Sequence, residues 1–121
     1  MIYLASPYSH PDEAVRVARF EAVCRFAAQR IAEGLVVFSP IAHTHPIAVY
    51  GGLPLGFDFW REFDQRMIAA CDALWVLCLR GWRHSRGIAE EISIARGLGK
   101  PCVFIDARGR LRKPARPEVF A

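Results

Sequence analysis

Ala73-Leu74-Trp75-Val76-Leu77-Cys78-Leu79 is followed by Arg80-Gly81-Trp82-Arg83-His84. Ser85 to Leu98 comes next, then Gly99-Lys100-Pro101 and Cys102-Val103-Phe104-Ile105. The first run is apolar throughout, which fits a strand buried on both faces. Across 85–98 the period changes. Ile88, Ile92, Ala95 and Leu98 recur every three or four residues, the repeat of an amphipathic helix. Gly99 and Pro101 stop that helix, and 102–105 reads as another buried strand. Strand, helix and strand without a tight turn make a parallel crossover unit.

The same alternation extends back to the start of the chain. Residues 2–5 (Ile-Tyr-Leu-Ala) read as a strand and 6–11 as a loop. Residues 12–33 read as a helix, with Val15, Ala18, Ala22 and Phe26 in one row and Val23, Ala27 and Ile31 in the next. Ser9 or His10 is expected to cap it, with Pro11 in its first turn. Gly34 ends it, and 35–38 is a second apolar strand. Residues 39–56, with Pro40, Pro46, Pro54 and two histidines, read as a long loop, and 58–71 as a helix. The order predicts an α/β fold: a three-layer, doubly wound parallel sheet of four to five strands with helices on both faces, Rossmann- or flavodoxin-like. Residues 1–107 would be the domain and 108–121 a basic tail. In such folds ligands bind beyond the carboxyl ends of the strands, which here means 6–10, 39–56 and 81–87.

Composition narrows the function classes. The chain has 121 residues, 53% of them hydrophobic, enough for one domain with a core. The charge of +4 is carried almost wholly by arginine, Lys100 and Lys113 being the two lysines. Arg108, Arg110, Arg112 and Lys113 crowd the end, and no basic stripe interleaved with aromatics occurs elsewhere. Nucleic acid is therefore not the expected partner. Cys24, Cys71, Cys78 and Cys102 form no C-x-x-C pair and read as reduced thiols of a cytoplasmic protein, not as a metal or disulfide framework. No leader and no membrane-spanning run is apparent.

One segment combines backbone and side-chain chemistry. Ser85 stands where a helix cap belongs, and Gly87 would let a ligand approach the first turn, whose free N–H groups favour an anion. Ser85 could equally be a cap and nothing more. On a wheel of about 100° per residue, Glu91 falls inside the apolar stripe of Ile88, Ile92, Ala95 and Leu98, whereas Glu90 faces away. A carboxylate there is either ion-paired, with Arg16 or Arg19 for instance, or exposed to a cleft at the helix start. Asp64 borders a mostly apolar helix face beside Trp60, Phe63, Met67 and Ile68, and Asp72 has the position of a turn residue. His43 and His45 lack a third ligand at metal-site spacing and read as ligand contacts or loop packing. Trp82, Tyr8 and Phe57 are candidates to stack on a planar ligand.

These residues resemble the nucleoside 2-deoxyribosyltransferase-like superfamily, in particular a small uncharacterised bacterial and phage branch of it (DUF1937-like). The resemblance spans about residues 1–105. It rests on Ile2-Tyr3-Leu4-Ala5, on Asp64 eight residues before Asp72, and on Ser85-x-Gly87-x-x-x-Glu91-x-x-x-Ala95 before Gly99-Lys100-Pro101. It implies cleavage or transfer of an N-glycosidic bond of a nucleoside or nucleoside 5′-monophosphate, without metal or organic cofactor. Glu91 matches the nucleophile, Asp64 the residue that assists the leaving base, and Tyr3 the tyrosine beside the nucleophile. Ser85 matches a position that is serine in the monophosphate N-glycosidases. Ser6, Tyr8, His43, His45, Trp82, Ser85 and Gly87 are the expected substrate contacts. Ser6-Pro7-Tyr8 departs from the superfamily's glycine-rich first loop, and the histidine loop is a feature of the uncharacterised branch. The resemblance also implies a homo-oligomer, dimer or tetramer, which the apolar surplus of so short a chain also suggests. A module that binds or senses a nucleotide without chemistry is the main rival, and an accessory protein working through protein contacts is a third reading.

Overall fold

The computed structural model of the chain describes residues 1–112; Lys113 and the rest of the expected basic tail lie outside the described residues. Four parallel strands form the sheet: β1 (Ile2–Ala5), β2 (Val37–Phe38), β3 (Ala73–Leu77) and β4 (Cys102–Ile105). A fifth, β5 (Leu111–Arg112), pairs antiparallel with β4, so residues 108–112 turn back onto the sheet edge. The order is β2-β1-β3-β4-β5.

Side chains alternate across the sheet and sort the core into two halves. Tyr3, Ala5, Leu74, Val76 and Phe104 point to one face, where Ile68 of α3 (Phe57–Ala70) and Ile88, Ile92 and Ala95 of α4 (Arg86–Gly97) cover them. Leu4, Leu77 and Ile105 point to the other, beneath Val23, Phe26 and Ala27 of α1 (Glu13–Ala32). The result is a three-layer α/β fold with helices on both faces. Cys71 and Cys78 are buried, Cys24 and Cys102 partly so, and all four are free thiols. No helix among the described residues is long and apolar enough to cross a membrane.

Two local readings change. Asp12, not Ser9 or His10, caps α1, its carboxylate accepting the Ala14 N–H at 2.9 Å, and Pro11 stays outside the helix. The expected 39–56 loop contains a helix, α2 (Pro40–Gly51). Ser39 caps it, accepting the Ala42 N–H at 3.1 Å, and Pro40 fills the first turn, where a missing N–H leaves nothing unpaired. Pro46 lies inside α2, where a proline costs roughly 3 kcal/mol. Packing outweighs that cost: Thr44 and Ala48 are buried and Ile41 packs on the α1 side of the core. Gly52, at φ 65°, then ends the helix in the left-handed region that glycine tolerates.

Because Ser39 is the side-chain cap of a helix that already carries an internal proline, Ser39→Ala is expected to lower unfolding stability by about 1 kcal/mol. Urea denaturation of the two proteins checks this, and an unchanged midpoint would contradict it.

Candidate functional site

The sheet order fixes where a site can form. The chain leaves β1 for α1 on one face and leaves β3 for α4 on the other, so a crevice opens between the two loops at the carboxyl ends of these neighbouring strands. A cavity of about 550 Å³ occupies that place. Ser6 and Tyr8 enter it from the β1 loop, Gly81 and Ser85 from the β3 loop, and α2 and α3 close its sides.

The floor is acidic. Glu91, one turn into α4, is 5% exposed and lines the cavity, and Asp64 of α3, 6% exposed, lines it too. Neither has a cationic partner among the described residues; the ion pair considered for Glu91 with Arg16 or Arg19 is not formed. Instead the hydroxyl of Tyr3, fully buried in β1, donates a hydrogen bond to Glu91 Oε2. Burial pushes the Glu91 carboxyl up to about 8, with the neighbouring Asp64 charge adding to the rise and the Tyr3 bond opposing it. Burial likewise pushes Asp64 up to about 6. Tyr3 is held far above its ordinary range by burial and by the two acids, so it remains a donor. The pair therefore retains a proton near neutral pH and titrates as a unit. Asp64 Oδ1 and Ser6 Oγ have no hydrogen-bond partner among the described residues. Orphaned polar atoms on a cavity wall are what a ligand would satisfy.

The amino end of α4 forms one rim. Ser85 Oγ accepts the Ile88 N–H at 3.2 Å, so Ser85 is a true cap whose own O–H is still a donor. The first N–H groups of the helix have no intrahelical partner. A Cβ added to Gly87 would meet Phe57 at 3.6 Å and Ser85 at 3.8 Å, ordinary contacts, so packing within the chain does not demand glycine there. Across the rim, Arg86 makes a two-bond ion pair with Asp58 at 2.8 and 3.2 Å, clasping α4 to α3.

The expected contacts divide. Tyr8 and His45 both line the cavity: the Tyr8 hydroxyl is bonded to His45 Nδ1, and the imidazole stacks on Phe20 at 4.4 Å. Burial, with Arg16 nearby, lowers the His45 pKa and favours the neutral ring. His43 turns elsewhere, stacking on Phe63 at 5.6 Å outside the cavity lining. Trp82 is also absent from the lining; it is buried in the core with its ring 5.6 Å from Phe104. Phe57 lines the cavity beside Trp60, whose indole N–H donates to the Pro54 carbonyl at 2.8 Å. Sequence reasoning missed Trp60 as a wall residue and gave Arg19 only a possible ion pair with Glu91. A helical tryptophan resembles core, and backbone carbonyls of loops, the partners of Arg19, leave no side-chain signal in the sequence.

The family model of a domain of unknown function (DUF1937) matches residues 1–107. The chain belongs to the DUF1937 family. The matched DUF1937 region contains the entire cavity lining, from Ser6 to Glu91. No curated protein matches the chain.

The raised acid gives a signed pH prediction. Folded Glu91 keeps a proton that the unfolded chain releases near 4.5, so stability must fall as pH rises from there toward 8. Glu91→Gln removes this titration while retaining an acceptor for Tyr3. The variant is expected to be more stable than wild type by about 2 kcal/mol at about pH 8, with little difference at about pH 5. Thermal melts across that range check it; parallel curves would contradict it.

Proposed function

We propose that the protein cleaves or transfers the N-glycosidic bond of a nucleoside or nucleoside 5′-monophosphate, with Glu91 as nucleophile. The observation that carries this reading is the buried Glu91 carboxyl, bonded to Tyr3 and open to the cavity that Asp64 also lines. Residue by residue, the resemblance to the nucleoside 2-deoxyribosyltransferase-like superfamily supports it: Tyr3, Asp64 and Glu91 match that superfamily's machinery, and all three converge here.

In the first step the proton held by the pair passes from Glu91 to Asp64, and the freed Glu91 oxygen bonds to C1′ as the C1′–N bond breaks through an oxocarbenium-like state. The leaving base takes the bond's electron pair and the proton from Asp64. Positive charge building on the sugar favours the charge on Glu91 and the proton on Asp64, and the Tyr3 hydroxyl steadies the carboxylate. Water then attacks C1′, gives its proton to Asp64 and releases Glu91; a second base in place of water completes a transfer. Trp60 offers a face for the base, and the α4 rim with Ser85 and Gly87, against which Phe57 lies, offers N–H groups to a polar or anionic part of the ligand. Exposed Tyr50, Val49 and Phe59 give a second copy an apolar surface to cover, in keeping with a cytoplasmic homo-oligomer.

One observation favours a second reading, a module that binds a nucleotide without turning it over. The burial that pushes the Glu91 carboxyl up to about 8 suits a hydrogen-bond donor as well as a nucleophile in waiting.

Base release from a panel of nucleosides and 5′-monophosphates separates the two. Glu91→Ala and Glu91→Gln are expected to lower kcat by about a thousandfold or more, and Asp64→Asn by about a hundredfold, most for the poorest leaving bases. Turnover at the wild-type rate in either Glu91 variant would remove the nucleophile. Binding without base release by the wild type would favour the sensor.

A further inference from the structure

Arg19 is a cavity residue whose charge the acid chemistry does not use. It lies on α1, yet its guanidinium reaches across the crevice. Nη1 donates to the Ser9 carbonyl at 3.0 Å and approaches that of Tyr8 at 3.4 Å, both in the loop after β1; Nη2 approaches the Arg80 carbonyl at 3.5 Å, after β3. No carboxylate among the described residues pairs with it, whereas Arg86 on the same cavity wall is neutralised by Asp58. The backbone accommodates this placement. Gly81 has φ +91°, so glycine is required by the turn, and with no Cβ there Arg19 Nη2 lies where a side chain would come within 2.8 Å and push the guanidinium aside.

One carbonyl at hydrogen-bond distance and two more distant ones orient the guanidinium but leave its full positive charge uncompensated beside the buried acids. Such a charge, at the topological switch point of the sheet, matches a ligand's negative group. Ser6 Oγ supplies a separate pointer. It is 5% exposed, without a partner among the described residues, and it lines the same cavity at the end of β1.

We propose that Arg19, admitted by Gly81, is the anion anchor of the cavity and makes the protein selective for a ligand bearing a phosphomonoester over the same ligand without it. This deepens the nucleotide reading and rests on it for the identity of the ligand, but not on any bond being broken.

The test is calorimetric, on the full chain with Glu91→Gln to prevent turnover. The probes are inorganic phosphate, the four 2′-deoxynucleosides and their 5′-monophosphates. At least one monophosphate is expected to bind about tenfold or more tighter than its nucleoside. Arg19→Gln should erase that preference while leaving nucleoside affinity within about twofold, and Arg19→Lys, a point charge without the fork, should retain part of it. Inorganic phosphate should bind weakly, with the same dependence on Arg19. Should Arg19→Gln fail to fold, Arg19→Lys carries the test: an undiminished monophosphate preference in that variant overturns the proposal. So does equal weakening of nucleoside and monophosphate in Arg19→Gln, which marks a structural strap between loops, and so does the absence of any monophosphate preference in the parent. Absence of base release by the wild type would defeat the glycosidic reading and leave this one standing.

Discussion

Tyr3 reaches from the centre of the sheet to a carboxyl that α4 carries in its apolar stripe, and the rest of the site is arranged around that contact. With the phenol buried and held protonated, Glu91 has a donor that cannot become a base, and only 5% of the residue is exposed, on the cavity side. The low dielectric that makes the charge costly also strengthens anything that later stabilises it. Asp64 adds a second acid close enough to matter, so one proton is shared where two charges would repel. The fold bears this cost because the surrounding positions, Leu74, Val76, Ile88 and Ile92, are fully apolar and deeply buried.

Much of this was legible in the sequence, for reasons that can be named. The strands at 2–5, 73–77 and 102–105 are apolar at every position and lie between helical periods, so a parallel sheet with two covered faces followed directly. Glu91 was legible because it interrupts an otherwise apolar helix face. The Tyr3 contact was not: its two partners are separated by most of the chain, and only resemblance suggested it. The helix at 40–51 was hidden by Pro40 and Pro46, since propensity counts proline against a helix, whereas tertiary packing decided the outcome. Trp82 drew attention as a stacking group and His43 as a ligand contact because both lie in ligand-end segments; Trp82 is buried in the core and His43 stacks on Phe63. Arg19 was considered only as an ion-pair partner of Glu91, because nothing in its helical neighbourhood signals that its side chain meets the loops after β1 and β3 instead.

The cavity is chemically mixed. Phe57 and Trp60 line it with aromatic surface, Glu91 and Asp64 with buried acids, and Arg19 with a cation that no carboxylate among the described residues pairs, while Phe57 lies against the Gly87 rim of α4. These groups come from several elements, which is why no short motif contains the site.

The margins of the sheet carry a separate consequence. On one side β2 has two residues and runs at once into Ser39-Pro40; on the other, β4 is flanked by a two-residue antiparallel strand that includes Arg112. Among the described residues, borders this short offer a neighbouring polypeptide little backbone to hydrogen-bond against, which guards against ribbon-like aggregation. Self-association, where it occurs, is thereby steered toward the helical layers, the same layers that wall the pocket.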